Sequence, residues 1–315
     1  MSVAELSALN ARISCAPAQT FRNLAVVPLI DRSAGPAKYL TLDEALARGR
    51  TEITEVSEAG SVPQLRLLNR GSDRVFLLDG EELVGAKQNR ILNLSILVPA
   101  QTDLDIPVSC VEQGRWSWRG RSFSGSERVI FSKLRRSNAE FVSANLKAHG
   151  RRDGDQGDVW HRISDKARRM SVHSDTGAAS ALYERYQQDL DEFVSEIGAI
   201  PGQVGAAFLV NGRFAGLDVL AGPDLLARLL PKLVRSYALD AVDDEEVGFG
   251  NAFVAADAVK FVQQVLEAIE RMTADSHPAI GRGRDLRLKG GGLVGGALVE
   301  DGAVVHLGIW AATYR

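Results

Sequence analysis

Two Xaa-Gly dipeptides, each set between alternating apolar residues, constrain the fold of this chain more than any other feature. Asn211-Gly212 divides QVGAAFLVNGRFAGLDVL, and Asp301-Gly302 divides LVGGALVEDGAVVHLGIW. Such dipeptides favour the tight two-residue turn of a β-hairpin, because they tolerate the positive φ angles that this turn requires. The two segments also share the order Val-Gly-x-Ala ahead of the turn. An internal duplication and a chance similarity between hairpins are both open explanations.

The order of the remaining patterns predicts the fold class and the domain organisation. Residues 21–121 are rich in strand patterns, 126–198 form a helical insertion, and 203–311 combine hairpin, helix, helix and hairpin. Strands are neighbours along the chain and helices are grouped, which predicts an α+β fold with mainly antiparallel sheets packed by segregated helices. No linker rich in Pro, Gly or Ser divides the blocks. We therefore predict a single domain over 21–315, preceded by an N-terminal tail over 1–20.

Local signals define several individual helices. Thr41 and Glu44 have the spacing of a capping box at the start of TLDEALARG, and Gly49 is a stop signal. The Gly- and Asp-rich stretch 150–158 predicts a break between helices. Pro231 lies within PDLLARLLPKLVRSYAL and predicts that this helix is kinked or divided.

Composition excludes several classes of protein. The chain has 315 residues, of which 45% are apolar and 24% charged, so it can bury a sizeable core. Cys15 and Cys110 are its two cysteines, too few for a disulfide framework or a cysteine zinc site. The N-terminus lacks the pattern of a signal peptide, and no apolar run approaches the ~20 residues that span a bilayer. The expectation is a cytoplasmic protein without a membrane partner.

The net charge of −3 hides a basic segment, residues 115–169, which contains 14 Lys or Arg and 6 Asp or Glu. Much of this segment has helical apolar spacing, so one interpretation is a solvated helix face. The other is a positive field that steers an anionic small-molecule ligand such as a phosphate or a nucleotide. Nucleic acid is not expected, because the pI is about 6.0 and the chain has no recognised reader motif.

LLDGEELVGAKQNRIL is the densest group of polar side chains between apolar ends. Its polar members are Asp79, Glu81, Glu82, Lys87, Gln88, Asn89 and Arg90. Strand alternation places Glu81 on an apolar face, where a carboxylate must find a partner or have a raised pKa. Glu82 falls on the polar face, where it is available for acid or base chemistry.

The same stretch predicts a hairpin with a two-residue turn at Gln88-Asn89. In this register, Glu82 lies opposite Ser95, and full extension separates Glu82 from Lys87 by ~17 Å. The acidic and the basic residues then mark two separate ends, unless Gly85 bends the strand.

IPVSCVEQGRW contains a second group, with Cys110, Glu112, Arg115 and Trp116. A cysteine followed by a glycine and an arginine is similar to an anion-binding loop with a thiolate nucleophile. The alternatives are a cysteine that lines a pocket without reacting and a buried core thiol. Arg115 beside Trp116 and Trp118 is suited to bind phosphate or to stack on a base.

LLDGEELVGAKQNRILN, ILVPA and IPVSCVEQGRW together resemble the family called the ARG and rhodanese-phosphatase-superfamily-associated protein domain, where ARG means ADP-ribosylglycohydrolase. The resemblance extends from about Phe21 to HLGIW and includes KLVRSYALDA. It implies a role in NAD or ADP-ribose metabolism. By matching position, it implies functional roles for Asp79, Glu81, Glu82, Lys87, Gln88, Asn89, Arg90, Cys110, Glu112, Arg115, Trp116, Gln156 and Trp160.

Three hypotheses about function follow. The first is an enzyme for a phosphorylated nucleotide-like metabolite, in which Glu82 or Glu81 is the general acid or base, and Cys110 a possible nucleophile. Lys87, Arg90 and Arg115 then bind phosphate. The second is a non-catalytic sensor or protein-interaction module that uses the same pocket. The third is a structural hydrogen-bonded network inside a sheet.

Other motifs are weaker. The five histidines lack paired metal-ligand spacing, so no metal site is predicted. KGGGLVGG lacks the ending of a P-loop and the spacing of a Rossmann loop. The sequence alone indicates no Ser-His-Asp arrangement, and it specifies neither a cofactor nor an oligomeric state.

Overall fold

A computed structural model of the chain describes residues 4–58, 60–245 and 255–312. The sequence pattern NAFVAADAVKFVQQVLEAIERM predicts that the last helix begins at residue 251. Residues 251–254 and the predicted domain end at 313–315 lie outside the described residues. The helices are α1 (Ala4–Asn10), α2 (Leu42–Ala47), α3 (Ser132–His149), α4 (Gln156–Arg169), α5 (Ser180–Arg185), α6 (Gln187–Glu196), α7 (Pro223–Asp243) and α8 (Ala255–Ile269). None of these described helices is both long enough and apolar enough to cross a membrane.

The strands are β1 (Ser14–Cys15), β2 (Gln19–Phe21), β3 (Leu24–Ile30), β4 (Leu40–Thr41), β5 (Thr51–Glu55), β6 (Gln64–Asn69), β7 (Val75–Leu77), β8 (Glu81–Gly85), β9 (Arg90–Leu92), β10 (Ile96–Val98), β11 (Thr102–Cys110), β12 (Phe123–Val129), β13 (Gln203–Val210), β14 (Arg213–Leu220), β15 (Thr273–Pro278), β16 (Arg284–Gly290), β17 (Leu293–Glu300) and β18 (Ala303–Ala311). Among the ladders between these strands, β4–β7 is parallel and the others are antiparallel. The predicted α+β class with mainly antiparallel sheets is confirmed.

The largest sheet has the order β1-β3-β13-β14-β18-β17-β16-β15, and β2 also pairs with β3. Both predicted hairpins lie side by side at its centre. Asn211 and Gly212 have φ angles of 50° and 72°, and Asp301 and Gly302 have 50° and 76°. Two consecutive positive φ angles define the type I′ turn, whose twist matches that of the strands. The two hairpin predictions are confirmed.

The two central hairpins share the same irregularity and meet at equivalent positions. The ladder shifts register after Phe208 in one hairpin and after Leu298 in the other, at the same distance from each turn. Asp218 pairs with Gly308 where β14 meets β18, and each is the seventh residue after the first turn residue. This shared geometry is what a duplication of one hairpin unit produces.

Two smaller sheets build the strand-rich block, in the orders β12-β8-β9-β11-β6-β5 and β10-β7-β4. The capping box of α2 is present, since the Thr41 side chain accepts from the Glu44 N–H and the Glu44 side chain accepts from the Thr41 N–H. Helix α3 ends at His149 and α4 begins at Gln156, which confirms the predicted break. The prediction for Pro231 is wrong in part, because α7 is one undivided helix that contains it.

The predicted N-terminal tail is wrong for the described part of residues 1–20. Leu6 and Leu9 of α1 are buried in the apolar cluster that also contains Val262 of α8. Strand β1 pairs with β3 at the edge of the large sheet. Three-residue spacing puts both leucines on one face of a short helix, and their burial holds this segment against the domain.

The large sheet separates two apolar clusters. Helices α1 and α8 cover one face, and the other face packs against α7 and the helices around it. Phe208 on β13 stacks on Tyr237 of α7, with ring centroids 3.9 Å apart. A third cluster fills the smaller sheets. The helical segment 126–198 therefore contributes a layer of the core.

The basic segment 115–169 is a solvated helix face only in part: Arg168 is exposed, whereas Arg135 and Lys166 are buried in ion pairs. Steering of an anionic ligand by this segment stays a prediction. Arg135 and Lys166 are fully buried, which is tolerated only when the charge is paired. Their acidic partners come from outside the segment. The pairs are Arg128 with Glu82, Lys133 with Asp244, Arg135 with Asp79 and Asp218, Arg152 with Asp285, Lys166 with Asp240 and Asp243, and Arg169 with Asp243.

We expect Lys166→Met to lower the free energy of unfolding by about 3 kcal/mol or more, because it leaves the buried carboxylate of Asp240 uncompensated. Lys166 Nζ lies 2.7 Å from Asp240 Oδ1, and neither side chain is exposed. Urea denaturation measures the change. The matched control is Arg168→Ala, since Arg168 pairs with Asp165 at 78% side-chain exposure. That pair is worth at most about 1 kcal/mol, and equal losses in the two variants would contradict the prediction.

Candidate functional site

The two polar segments predicted from the sequence meet in the six-stranded sheet. Strand β9 pairs with β11 so that Arg90 lies directly opposite Cys110. One residue further on, the Val111 N–H donates to the Asn89 carbonyl at 3.0 Å. Adjacency in an antiparallel ladder therefore joins the turn after β8 to the loop after β11.

The predicted register of the first hairpin is wrong. Glu82 lies opposite Ile91, whereas the sequence predicted Ser95 as its partner. Gly85 at φ 140° and Ala86 at φ 36° turn the chain out of the ladder before a two-residue turn can form. The resulting loop is longer than predicted. Because the register shifts by four residues, an even number, each side chain keeps its predicted face.

Arg115 holds this loop together from inside. Its Nη1 donates to the carbonyls of Ala86 at 2.8 Å and Ser117 at 2.9 Å, and its Nη2 reaches Asn89 Oδ1 at 3.1 Å. Its Nε donates to Glu112 Oε2 at 2.8 Å. Nη2 also reaches the carbonyl of residue 85 at 3.3 Å. All five N–H groups of the guanidinium have acceptors within the loop, so Arg115 is positioned for architecture and has no donor left for a phosphate.

Glu112 is the acidic partner in this loop. Burial raises its pKa, but the hydrogen bond from Arg115, the Asn89 N–H and the Thr176 hydroxyl outweigh burial and lower the pKa. Glu112 is therefore a carboxylate at neutral pH that accepts from both segments. Its acceptor capacity is used by the loop.

Two glutamine side chains fix the backbone around the meeting point. The Gln88 Nε2 donates to the Glu112 carbonyl at 2.9 Å, while its Oε1 accepts from Arg90 Nη1 at 2.9 Å. Gln156 at the start of α4 both donates to the Cys110 carbonyl and accepts from the Cys110 N–H, each at 2.8 Å. These amides orient Arg90 and tie the helical layer to the sheet.

The acidic end of the first segment divides between several partners. Glu81 is buried, and its Oε1 lies 2.9 Å from Lys232 Nζ, so it has the partner that its apolar face requires. Glu82 pairs with Arg128 and accepts from Asn89 Nδ2 at 3.3 Å. Burial raises the pKa of Glu82 despite these partners. The predicted exception therefore applies: the chain bends at Gly85 and brings Asn89 of the turn into contact with Glu82.

Asp79 lies outside this meeting point. Its carboxylate pairs with Arg135 of α3 at 3.0 Å. Of the residues predicted for one site, Asp79 and Glu81 therefore face other parts of the molecule.

Arg90 carries the unsatisfied hydrogen-bonding groups of the meeting point. Its side chain has no exposed surface, and within the described residues its Nε and Nη2 donate no hydrogen bond. Nη2 lies 3.9 Å from Glu55 Oε1, and neither oxygen of the Glu55 carboxylate accepts a hydrogen bond from a described residue. Buried polar groups are nearly always satisfied. The donor edge of Arg90 and the Glu55 carboxylate therefore have hydrogen-bonding capacity that no described residue uses.

Two tryptophans lie on the solvent side of Arg90. Trp116 and Trp118 are 49% and 46% exposed, which makes them conspicuous among the large hydrophobic side chains of the described surface. Lys87 Nζ lies 5.1 Å and 5.0 Å from their ring centroids. The Arg90 guanidinium lies 5.7 Å from the Trp116 centroid. We name Glu55, Lys87, Arg90, Trp116 and Trp118 the Arg90 cluster.

Gly60 shows how closely the members of the Arg90 cluster approach one another. A methyl group at Gly60 would lie 3.2 Å from Lys87 Cδ, 3.2 Å from Trp116 Cζ2 and 3.4 Å from Glu55 Oε2. A side chain at this position would therefore meet Lys87, Trp116 and Glu55 at once. Its φ of 77° is one that L side chains rarely adopt.

Cys110 lies beside Arg90 and is buried. Burial raises the pKa of its thiol, and the Glu112 N–H, the Arg90 charge and the Trp160 indole only partly oppose this effect. The raised pKa favours a thiol over a thiolate nucleophile at neutral pH. The Trp160 Nε1 is buried without a hydrogen bond of normal geometry among the described residues. Cys110 and Trp160 thus line the interior side of the cluster.

Glu55 is the member of the cluster that sequence reasoning missed. It ends β5, in which Thr51, Ile53 and Glu55 are buried and the residues between them are not. Strict alternation in TEITE puts Glu55 on the face of Ile53. A carboxylate on the same face of the strand as the buried Ile53 was therefore the sequence pattern that could have indicated Glu55.

We expect both thiols to react slowly in the folded protein. The pKa of Cys110 is raised by burial, and burial raises the pKa of Cys15 to about 11. At pH 8, reaction with 5,5′-dithiobis(2-nitrobenzoic acid) should be roughly 100-fold slower than in the urea-unfolded chain, because the thiolate is the reactive form. Cys15→Ser isolates the Cys110 thiol. A fast native reaction in that variant would restore the nucleophile hypothesis.

We expect Arg115→Lys to lower the free energy of unfolding by about 2–4 kcal/mol, because an ammonium cannot serve the acceptors now held by the guanidinium fork. Chemical denaturation measures the loss. Arg119→Lys is the control, since Arg119 is 59% exposed and lies 3.9 Å from Glu112. Unchanged stability in Arg115→Lys would return this arginine to the set of ligand contacts.

Comparison with known proteins adds one finding to this geometry. The family model described as the ARG and Rhodanese-Phosphatase-superfamily-associated Protein domain matches residues 12–310. No curated protein and no solved structure matches the chain. The match covers both polar segments, both central hairpins and the helical layer between them. The chain belongs to the family of the ARG and Rhodanese-Phosphatase-superfamily-associated Protein domain.

Proposed function

We propose that the Arg90 cluster binds a phosphorylated, nucleotide-like metabolite and that the chain is an enzyme acting on it. The observation that carries the proposal is the edge of Arg90. Among the described residues, its buried Nε and Nη2 donate no hydrogen bond of normal geometry, and Nη2 lies 3.9 Å from a Glu55 carboxylate that accepts none. Stable folds rarely leave both partners of such a pair unsatisfied.

The chemistry of the cluster fits the parts of such a ligand. Nε and Nη2 form one edge of a guanidinium, which binds two oxygens of a phosphate through parallel hydrogen bonds. Lys87 adds a second positive charge beside the Trp116 and Trp118 rings. The half-exposed rings offer faces on which a base can stack. A ligand with a phosphate that contacts Arg90 in the interior and an aromatic base that stacks on the tryptophans at the surface matches this arrangement.

Glu55 replaces Glu81 and Glu82 as the proposed acid or base. Glu81 is neutralised by Lys232, and Glu82 by Arg128. The Glu55 oxygens are available to accept a proton from a water molecule or from a ligand hydroxyl next to the bound phosphate. Hydrolysis is the reaction class that needs only these groups. The association with ADP-ribosylglycohydrolases in the family name supports an ADP-ribose-like ligand.

We expect ADP-ribose, NAD or ADP to raise the melting temperature, and Trp118→Ala to weaken the affinity for the best of them about 10-fold or more. Base stacking on an aromatic side chain is worth ~1–3 kcal/mol. Isothermal titration measures the affinity. Phe261→Ala is the matched control, because Phe261 is 41% exposed on α8, outside the cluster. An equal effect of both variants would contradict stacking at Trp118.

Two substitutions inside the cluster separate an enzyme from a sensor. Arg90→Lys keeps the charge and removes the fork, so the affinity for ADP-ribose should fall about 10-fold or more. Glu55→Gln should keep most of that affinity while abolishing product formation, measured by chromatography after incubation. Arg48→Lys, a 56% exposed arginine, is the control. Wild-type binding without any product would favour the sensor, and absence of binding would reject the proposed ligand class.

A further inference from the structure

A second polar constellation lies at the centre of the large sheet, apart from the Arg90 cluster. Ser95 Oγ lies 2.9 Å from His306 Nδ1. The other nitrogen of the ring, His306 Nε2, lies 3.1 Å from Asp218 Oδ1. Ser95 precedes β10, His306 is on β18 and Asp218 is on β14. We name this chain of hydrogen bonds the Ser95 relay.

The partners of Asp218 determine where the protons of the relay are. Burial raises the pKa of Asp218, but the Arg135 charge and the hydrogen bonds from His306 and Arg135 hold this pKa well below its usual range. Arg135 contributes both Nη groups, at 3.0 Å and 2.7 Å, and Tyr237 donates its hydroxyl at 3.2 Å. A carboxylate only accepts hydrogen bonds, so His306 Nε2 carries the proton. In the neutral ring, the lone pair on Nδ1 then faces the Ser95 hydroxyl.

The surroundings of Ser95 leave its oxygen on the side of a cleft. The backbone N–H of Asp79 donates to Ser95 Oγ at 3.0 Å, so the hydroxyl proton is directed to an acceptor. His306 Nδ1 is the nearer acceptor, because Asp79 Oδ1 lies 3.3 Å from the hydroxyl and is paired with Arg135. Ser95 is partly exposed, whereas His306 and Asp218 are buried. This is the distribution that a nucleophile with a shielded base requires.

The cleft next to Ser95 is narrow: the space that a water-sized probe can enter is ≈ 20 Å³, which is enough for about one water molecule. Its lining includes Asn93, Ser95, Arg287, His306 and Trp310. This space is far smaller than that of an ordinary small-molecule site. The cleft therefore admits only the smallest acyl groups, such as acetyl, with the rest of the ester outside its mouth.

Glycines keep the cleft open. A methyl group at Gly296 would lie 3.1 Å from the Arg287 guanidinium, and one at Gly308 would lie 2.8 Å from the Trp310 ring. Both contacts are closer than ordinary van der Waals distance. A side chain at either position would fill the space in front of His306.

We propose that Ser95 is the nucleophile of a second, acyl-transfer activity towards small esters, with His306 as its general base and Asp218 as the group that orients His306. Ser95 Oγ forms a bond to the ester carbonyl carbon, and its proton passes to His306 Nδ1. The bond from that carbon to the alcohol oxygen then breaks, and the alcohol takes the proton from His306. Water reverses these steps on the acyl-serine, which yields the carboxylic acid and regenerates Ser95.

The same residues are less suited to a metal ion. Donor atoms of Asp79, Asp218 and His306 all lie within 4.8 Å of one another, which is close enough for a shared cation. Arg135 contacts both carboxylates, at 3.0 Å and 2.7 Å, and already supplies the positive charge between them. A divalent cation would have to displace a guanidinium that is fully buried. The charge balance therefore favours the relay.

The test is labelling of the full chain with a fluorophosphonate, an electrophile that reacts with activated serines. Peptide mass spectrometry should find one adduct on Ser95, and Ser95→Ala should lose it. His306→Gln should slow labelling about 100-fold or more, because the general base is removed. Circular dichroism verifies that each variant is folded. Ser124→Ala is the matched control, since the Ser124 hydroxyl donates to the Val84 carbonyl and has no histidine partner.

A second measurement keeps the proposal testable if His306→Gln does not fold. Hydrolysis of p-nitrophenyl acetate by the wild-type chain should exceed that by Ser95→Ala about 10-fold or more, while Ser124→Ala matches the wild type. A folded wild-type chain without a Ser95 adduct and with ester hydrolysis equal to that of Ser95→Ala would overturn the proposal. Failure here leaves ADP-ribose binding at the Arg90 cluster unaffected, because the two tests share neither residues nor probe.

Discussion

The guanidinium of Arg135, buried between two carboxylates, is the interaction on which the remaining architecture depends. Its partners Asp79 and Asp218 come from the strand-rich block and from the centre of the large sheet, while Arg135 itself is on α3. A buried guanidinium that loses one partner costs several kcal/mol. These ion pairs therefore hold α3, the strand-rich block and the large sheet in one arrangement. The Trp310 ring also lies against the guanidinium, with its centroid 5.0 Å away.

The same principle accounts for the uneven distribution of charge along the sequence. Basic residues usually lie on the surface of a protein. Here, Arg135 and Lys166 are buried in the core, where they pair with acidic residues that are distant in sequence. Ion pairs of this kind contribute little net stability compared with apolar packing, but they penalise any other arrangement of the layers. The cations of the basic segment thus pair with particular acidic residues of the two flanking blocks and specify how these blocks pack together.

Local signals made much of the fold predictable. The type I′ turns at Asn211 and Asp301 and the capping box at Thr41 depend on residues within a few positions of one another, and the sequence was sufficient for them. The register around Glu82 was not predictable, because the positive φ of Gly85 depends on a loop that Arg115 organises from thirty residues away. Pairing through distant residues carries no local pattern.

The candidate site also combines features that local patterns predict with features that depend on residues distant in sequence. Strand order was enough to bring Arg90 next to Cys110, since one ladder connects them. The partner of Arg90 was missed because Glu55 lies on β5, four strands before β9 in the sequence, and the contact between Ser95 and His306 spans 211 positions. Arg115 was predicted as a ligand contact because its residue type suits an anion. Several of its acceptors are backbone carbonyls, which a side-chain pattern does not reveal.

The meeting of the two hairpins has a consequence for how chemistry can arise from a repeat. Asp218 and Gly308 occupy equivalent positions and face each other across one ladder. Identical halves would place two aspartates there, and two carboxylates at that distance in a buried sheet repel strongly. Because Gly308 has no side chain, Asp218 carries the one negative charge at this pair of positions, and Arg135, Tyr237 and His306 all contact it. Loss of equivalence at one position is thus what allows a structural repeat to hold a polar centre.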